Sequence, residues 1–233
     1  VAFFDASLHW TLSFYPFVFL LLVYLPARAL RRIVRYSMLF SAAHVVLILA
    51  VLALPISQWH KVPLAGKQAS RYFADIVMGF HGDEIYRRLL AYGDRYVLAT
   101  PGYTTSALMA YHSGRHFAVF NDEDRNGRND DKVTDFRALD GRDFLVLSTL
   151  PVRPSRAEDY RAFFERFSIE PLTVRGAEYT LVRGTGFRFA QYRRRHLAKV
   201  LKDCYDIPGW LPVGRCFFYE RYFPGYRQDQ GVH

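Results

Sequence analysis

The sequence predicts two transmembrane α-helices followed by an extracytoplasmic α/β domain with a mostly parallel sheet. Two long uncharged stretches predict the helices. Residues 11–27 contain no formal charge, and in residues 36–59 His44 is the one group that titrates near neutral pH. A membrane-spanning helix needs roughly 20 mostly apolar residues. After residue 58, short apolar runs alternate with amphipathic segments, a pattern that is typical of α/β domains.

The two spans are predicted over residues 8–26 and 36–55, within a membrane domain of residues 1–57. Pro26 and Pro55 end the apolar stretches, because proline cannot continue a helix without losing a hydrogen bond. Positive charge resists translocation, so the basic loop between the spans is predicted to be cytoplasmic; it contains Arg28, Arg31, Arg32 and Arg35. Residues 58–233 would then form the extracytoplasmic domain of a protein integral to the cytoplasmic (inner) membrane.

The beginning of the chain does not resemble a secretory signal peptide. No basic segment precedes the apolar run in residues 1–25, and no small-residue cleavage site follows it. Because the first residue is Val1 and not methionine, we expect the chain to be the tail of a longer polypeptide.

The net charge of +9 indicates an anionic partner. Nucleic acid, anionic membrane lipids and phosphate-bearing substrates all fit such a charge. An extracytoplasmic domain rarely meets nucleic acid, and the sequence contains no recognised nucleic-acid-binding module. We therefore expect membrane lipids and lipid-linked phosphates as partners, and no nucleic acid.

The domain after residue 58 is predicted to alternate helices and strands. Gly93 and Gly114 are expected to end two of the helices, and Ser155 and Glu158 form a capping box that begins another. The predicted helices cover residues 83–92, 104–112, 155–167 and 189–205. The predicted strands cover residues 95–100, 117–120 and 144–150, with a hairpin of residues 171–174 and 179–182.

The acidic loop, residues 121–131, is the sharpest local signal for a ligand. Read as a calcium loop, it offers Asp122, Asp124, Asn126 and Asp130 as metal ligands, but the twelfth position, where a bidentate glutamate belongs, is Val133. A second interpretation treats Asp122-Glu123-Asp124 as an Asp-x-Asp metal clamp. A third is a solvated loop whose carboxylates pair with its own arginines. A divalent cation is the one cofactor that the sequence suggests.

Three further features have both a structural and a functional interpretation. His9, Trp10 and Tyr15 stand at the outer end of the first span, as interfacial anchors or as substrate-binding residues. The basic residues of segment 189–205 form a solvated face or a surface for anionic headgroups. Cys204 and Cys216 either form a disulfide in the oxidising compartment or remain buried thiols.

The order of these parts resembles the C-terminal end of multi-span GT-C type glycosyltransferases, the class of the dolichyl-phosphate-mannose–protein mannosyltransferases and the bacterial aminoarabinose transferases. His9-Trp10 before Tyr15-Pro16, at the head of a late span, is similar to a segment of these enzymes. So are the helix-then-strand unit of residues 103–120 and Gly141-Arg142-Asp143 before a strand.

This resemblance implies an enzyme that moves a sugar from a polyprenyl-phosphate carrier to an extracytoplasmic acceptor, which would be a protein, a lipid or a glycan. It implies that the catalytic base lies on a first outer loop upstream of Val1, so no catalytic residue is assigned here. His9, Trp10 and Tyr15 would lie close to the lipid-linked sugar phosphate. The alternatives are a non-enzymatic, membrane-anchored α/β binding or assembly domain and a calcium-dependent outer module.

Overall fold

A computed structural model of the chain describes residues 20, 22, 24–53, 69–121, 129–149, 154–205 and 216–225, and every structural statement below concerns these residues. The chain divides into two units, Val1–Pro55 and Ile56–His233, and each is described by itself.

The N-terminal unit contains a long helix, α1, over Ala27–Ala53. Its first backbone hydrogen bonds run to the Pro26 carbonyl oxygen, which accepts from the amides of Ala29 and Leu30 at 2.9 and 3.1 Å. The predicted basic loop is therefore wrong, because its four arginines lie in the first turns of α1. Arginine is a good helix former, and the spacing of these residues places them on one helix face, so their charge does not interrupt the helix.

In the described part of the chain, α1 is the one helix with the length and composition to cross a membrane. The candidate span covers Ala27–Ala50, and none of it is buried by the rest of the chain. A signal sequence near an N-terminus has the same properties, so the number of spans and the topology remain predictions. The predicted first span, residues 8–26, falls almost entirely outside the described residues.

His44, the ionisable residue of the predicted second span, is hydrogen-bonded within its own helix. Its Nδ1 lies 3.0 Å from the Phe40 carbonyl oxygen, one turn earlier. A carbonyl oxygen only accepts, so Nδ1 carries the hydrogen and donates it. The two rings also lie 4.1 Å apart, centroid to centroid. The polar group of His44 is thus satisfied by α1 itself, without a neighbouring helix.

The C-terminal unit places helices on both faces of one five-stranded sheet. In chain order its helices are α2 (Ala69–Leu90), α3 (Tyr103–Ser113), α4 (Asp130–Val133), α5 (Pro154–Phe163), α6 (Phe189–Tyr192), α7 (Ala198–Cys204) and α8 (Phe217–Tyr222). Its strands are β1 (Val97–Thr100), β2 (Ala118–Val119), β3 (Phe144–Ser148), β4 (Phe164–Val174) and β5 (Ala177–Phe187). A 3-10 turn, Phe136–Leu139, precedes β3, and a π-helical turn, Arg193–Leu197, joins α6 to α7.

The sheet is mixed, which corrects the prediction of a mostly parallel sheet. Its strand order is β2-β1-β3-β5-β4. β1 is parallel to β2 and to β3, whereas β5 is antiparallel to both β3 and β4. The physical reason is the tight turn at Arg175-Gly176, where both residues have positive φ, 50° and 80°. Such a turn joins antiparallel strands, and the second of them then pairs with β3.

The domain has two hydrophobic cores, one on each face of the sheet, because successive side chains of a strand point to opposite faces. Phe144 and Val146 of β3 belong to the aromatic core, which the side chains of α5 to α8 complete. Leu145 and Leu147 face the second core, which is closed by α2 and α3.

Candidate functional site

The predicted substrate-binding residues His9, Trp10 and Tyr15 lie outside the described residues, as do Asp122, Asp124 and Asn126 of the acidic loop. Their roles remain predictions. Asp130 is described, and it stands at the start of α4.

The carboxylate of Asp130 contacts three other residues: Val119, Thr134 and His116. Its Oδ2 accepts hydrogen bonds from the Val119 amide and the Thr134 hydroxyl, both at 2.9 Å. Its Oδ1 lies 3.6 Å from Nε2 of His116, and the side chain is only 11% exposed. Among the described residues, no group of three or more His, Cys, Asp or Glu side chains is arranged to hold a metal ion. The visible role of Asp130 is therefore to join β2 to α4.

The acidic loop begins at the sheet edge where the parallel strands end. β1, β2 and β3 run in the same direction, so the segments that follow them, including the acidic loop, start from one edge. The chain leaves β1 through α3 to reach β2, while β3 pairs with β1 on its other side. Open α/β sheets bind ligands at such a switch in strand order. The metal hypothesis for this loop stays a prediction.

A pocket lies at the opposite edge, where β1 and β3 begin. It has a volume of about 370 Å³ and is referred to below as the arginine pocket; its lining consists of Arg95, Tyr96, Arg166, Phe167, Ser168, Arg183 and Thr185. Arg166 pairs with Thr185 across the β4–β5 hairpin, and Ser168 pairs with Arg183. These four side chains share one face of the hairpin because the residues alternate along each strand.

Two of the three arginines in this pocket have acidic neighbours. Arg183 forms an ion pair with Glu170 at 3.3 Å, and Arg95 lies 3.7 Å from Asp143. No described carboxylate forms an ion pair with Arg166, whose side chain is exposed. Three guanidinium groups therefore face two carboxylates, which leaves the pocket with a net positive charge.

The carboxylates are also engaged elsewhere. The oxygens of Glu170 accept hydrogen bonds from the hydroxyls of Tyr92 at 3.0 Å and Ser168 at 3.1 Å. Partial burial and the bond to Glu170 raise the pKa of Tyr92, so this phenol remains a donor at neutral pH. Asp143 accepts from the Gly186 amide at 3.1 Å. These bonds hold both carboxylates in position beside the arginines.

The Tyr96 side chain gives the pocket an aromatic wall. Tyr96 is 5% exposed. Its hydroxyl accepts from Nη2 of Arg95 at 3.0 Å, and the guanidinium lies 5.0 Å from the centre of its ring. The bond to this hydroxyl raises the pKa of Arg95 above its already high value. The arginine pocket therefore combines permanent cations, hydroxyl groups and aromatic surface.

Sequence reasoning missed this pocket because its residues come from three separate segments. The predicted hairpin was correct in its turn but ended at residues 171 and 182, before the pocket residues on both strands. The available signal was the alternation Arg166-x-Ser168 and Arg183-x-Thr185, which places polar side chains on one face once the strands are extended.

The predicted basic helix is confirmed as helical over residues 189–204, with a π-helical turn at Arg193–Leu197. One face is buried by Tyr192, His196, Leu197, Val200 and Leu201. The opposite face exposes Arg193, Arg194, Arg195, Lys199 and Lys202. Arg193 also covers the ring of Phe223 at 5.0 Å. Whether this face binds anionic headgroups stays a prediction.

Cys204 and Cys216 are free thiols in the structure, and both are partly buried against the aromatic core. Residues close to them in the chain touch: the ring of Tyr205, next to Cys204, stacks on that of Phe218, two residues after Cys216, with the centroids 4.2 Å apart. This contact brings the end of α7 to the start of α8, as a disulfide requires. The bond itself remains a prediction.

Comparison of the chain with protein families, with curated proteins and with solved structures finds no match.

Proposed function

We propose that this chain is the C-terminal portion of a membrane glycosyltransferase that moves a sugar from a polyprenyl-phosphate carrier to an extracytoplasmic acceptor. The observation that carries the proposal is α1, whose 24-residue candidate span is apolar beyond its arginine-containing first turns and is not buried by the rest of the described chain. Exposure of apolar surface of this extent to water is unfavourable, which supports a lipid environment for α1.

The charge distribution of α1 supports an orientation. Arginines occupy its first turns, and its last turn contains no basic residue. A helix of 27 residues is roughly 40 Å long, which exceeds the hydrocarbon core of a bilayer by about two turns. The arginines can therefore reach the cytoplasmic headgroups while the C-terminal end of α1 reaches the outer face.

With this orientation the α/β domain would lie outside the cytoplasm, where lipid-linked sugars would serve as donors. Residues 8–26 would form the first span, with His9, Trp10 and Tyr15 at its outer end beside the lipid-linked sugar phosphate. The general base that activates the acceptor hydroxyl would be supplied from outside this chain.

Membrane integration is tested by introducing a charge at the middle of α1. Leu47→Arg places a cation near the bilayer centre, at a cost of about 2.5–3.5 kcal/mol relative to an apolar residue. We expect a smaller fraction of the chain to resist alkaline extraction from membranes than in the unsubstituted chain. Leu47→Phe is the matched control and should extract like the unsubstituted chain. Equal extraction of the Arg and Phe variants would contradict a spanning α1.

Activity is tested with membranes that contain the chain in its natural polypeptide and a panel of radiolabelled polyprenyl-phosphate sugars. We expect transfer of label to an extracytoplasmic acceptor, and we expect His9→Ala and Trp10→Ala each to lower it by at least about tenfold, as the loss of a substrate-orienting contact does. Tyr111→Ala, which alters an exposed ring on α3, is the control. Integration without transfer from any donor would favour the non-enzymatic, membrane-anchored domain.

A further inference from the structure

We infer that the arginine pocket binds a ligand that carries a phosphate group. The inference concerns the α/β domain alone and does not rest on the glycosyltransferase proposal. Its basis is the convergence of Arg95, Arg166 and Arg183, from three different strand regions, on one pocket.

The donor geometry favours an oxyanion. A guanidinium group presents its N–H donors in a planar fork that matches two oxygens of one phosphate, and it remains charged at any physiological pH. Arg166 and Arg183 occupy neighbouring strands, two residues apart in register, because Arg183 pairs with Ser168. A tetrahedral anion between them can accept from both forks at once.

The hydroxyl groups of the pocket can contribute further donors. The hydroxyl of Thr185 donates to the Arg166 carbonyl oxygen over a long distance of 3.4 Å. Such a weak bond is readily exchanged for one to a bound phosphate oxygen. Thr185 lies directly opposite Arg166 in the hairpin, so both side chains can contact the same anion.

The charge balance favours phosphate over a singly charged carboxylate. The two acidic neighbours pair with Arg95 and Arg183 and leave one positive charge uncompensated, at Arg166. A dianionic phosphate gains more from the residual field than a monoanion does. Because the side chain of Arg95 is 70% exposed and that of Arg183 is 42% exposed, binding should weaken with added salt.

The size of the pocket indicates that the phosphate is part of a larger ligand. Its volume of about 370 Å³ is within the range of roughly 300–1,000 Å³ that is usual for small-molecule sites. The ring of Tyr96, which lies under the Arg95 guanidinium, supplies aromatic surface at the pocket wall. A phosphate ester or a pyrophosphate therefore suits the site better than inorganic phosphate alone.

The test measures binding to the full chain purified in detergent. One arm titrates inorganic pyrophosphate by calorimetry, and the other measures capture of polyprenyl monophosphate from phosphatidylcholine vesicles. Arg166→Gln and Arg183→Gln each remove one fork, and each should weaken binding by about tenfold or more. Arg161→Gln makes the same charge change on α5, which packs against the other face of the sheet, and should leave the dissociation constant unchanged.

The two arms identify the source of the phosphate. Arginine-dependent binding of pyrophosphate indicates a water-soluble phosphate ligand, and arginine-dependent binding in the vesicle arm alone indicates a lipid headgroup; either result supports the inference. Unchanged affinity of both pocket variants in both arms, or no binding in either arm, overturns it. Arg166 has no ion pair among the described residues, so Arg166→Gln should melt at the same temperature as the unsubstituted chain. Sugar transfer is a separate measurement, so its failure would leave this result intact.

Discussion

Replacing Phe120 with alanine should lower the free energy of unfolding of the α/β domain by about 3–5 kcal/mol, the usual cost of removing a buried phenylalanine ring. Phe120 is fully buried and follows β2. Its ring centroid lies within 6.1 Å of those of seven other rings: Phe136, Phe144, Tyr160, Phe163, Phe164, Phe187 and Tyr192.

The large effect follows from the position of Phe120 at the centre of the aromatic core. Its ring stacks on Tyr192 at 4.9 Å, with only 8° between the two planes. The surrounding rings come from β3, β4, β5 and the helices, so collapse around the cavity would require several elements to shift together. Close packing resists such a shift, and the cavity cost adds to the lost burial of the ring.

The measurement is pulse proteolysis of the full chain across a urea series. Phe120→Leu retains most of the apolar volume and should lose about 1–2 kcal/mol. Tyr111→Ala is the surface control: Tyr111 is 83% exposed, so its change should stay within about 0.5 kcal/mol. A loss below about 1 kcal/mol for Phe120→Ala would show that the ring cluster does not form the core of this domain.

The parts of the fold that the sequence predicted well are those fixed by local chemistry. The helix predicted over residues 104–112 is α3, Tyr103–Ser113, and it ends at Gly114, whose φ of 65° suits glycine. The strand predicted over residues 144–150 is β3, Phe144–Ser148. The predicted turn at Arg175-Gly176 is also confirmed. Glycine at a positive φ and a run of apolar residues both act over a few positions, so sequence alone reveals them.

The wrong boundaries arose where two local signals competed. The helix predicted to end at residue 167 ends at Phe163, and β4 begins at the next residue. The spacing of Phe163, Phe164 and Phe167 suits a helix face, but Phe164 and Phe167 instead pair along β5. The helix predicted over residues 83–92 corresponds to the second half of α2. His81, whose backbone is not helical, divides α2 into two parts.

Sheet direction and the arginine pocket were not predictable for a different reason. No local pattern records that β5 pairs with β3, since that pairing joins residues more than 30 positions apart, such as Leu147 and Leu181. The arginine pocket depends on the same pairing, because it brings Arg183 towards Arg95. The metal hypotheses for the acidic loop depend on consecutive residues, so they can be read from the sequence. The arginine pocket depends on distant strands that pair, so it cannot.

A disulfide between Cys204 and Cys216 should stabilise the domain by about 3 kcal/mol, because it closes a short loop in the unfolded chain. Contacts between residues that closely follow the two cysteines support the pairing. Tyr205 stacks on Phe218, and the hydroxyl of Tyr219 donates to the Tyr205 carbonyl oxygen. α7 and α8 therefore approach each other where the two cysteines stand.

The bond would also secure the segment that follows the acidic loop. Arg221 of α8 donates from Nη1 to the Asp131 carbonyl oxygen at 2.5 Å, and the Tyr222 hydroxyl donates to the Thr134 carbonyl oxygen at 3.0 Å. These contacts depend on the position of α8, a helix of six residues that is too short to be stable alone. Loss of the disulfide should therefore loosen residues 131–134 together with α8.

The pairing is measured by maleimide labelling of the denatured chain, taken from membranes without reductant. We expect no labelling until a reductant is added, and we expect the reductant to lower the urea midpoint of the unsubstituted chain. Without reductant, the Cys204→Ser and Cys216→Ser variants should each unfold at the lower urea midpoint of the reduced, unsubstituted chain. Adding reductant should not lower their midpoints further. Labelling of both thiols before reduction would contradict the bond in the cell.

The same result also bears on the topology, because disulfides persist in oxidising compartments. If both thiols label but a mild oxidant joins them in the purified chain, their geometry is right and the predicted extracytoplasmic location is wrong. If the oxidant also fails to join the two thiols, the predicted pairing is wrong, since cysteines with Cα atoms more than about 7 Å apart cannot be bridged. A bond present before any oxidant is added supports both predictions, and the orientation proposed for α1 with them.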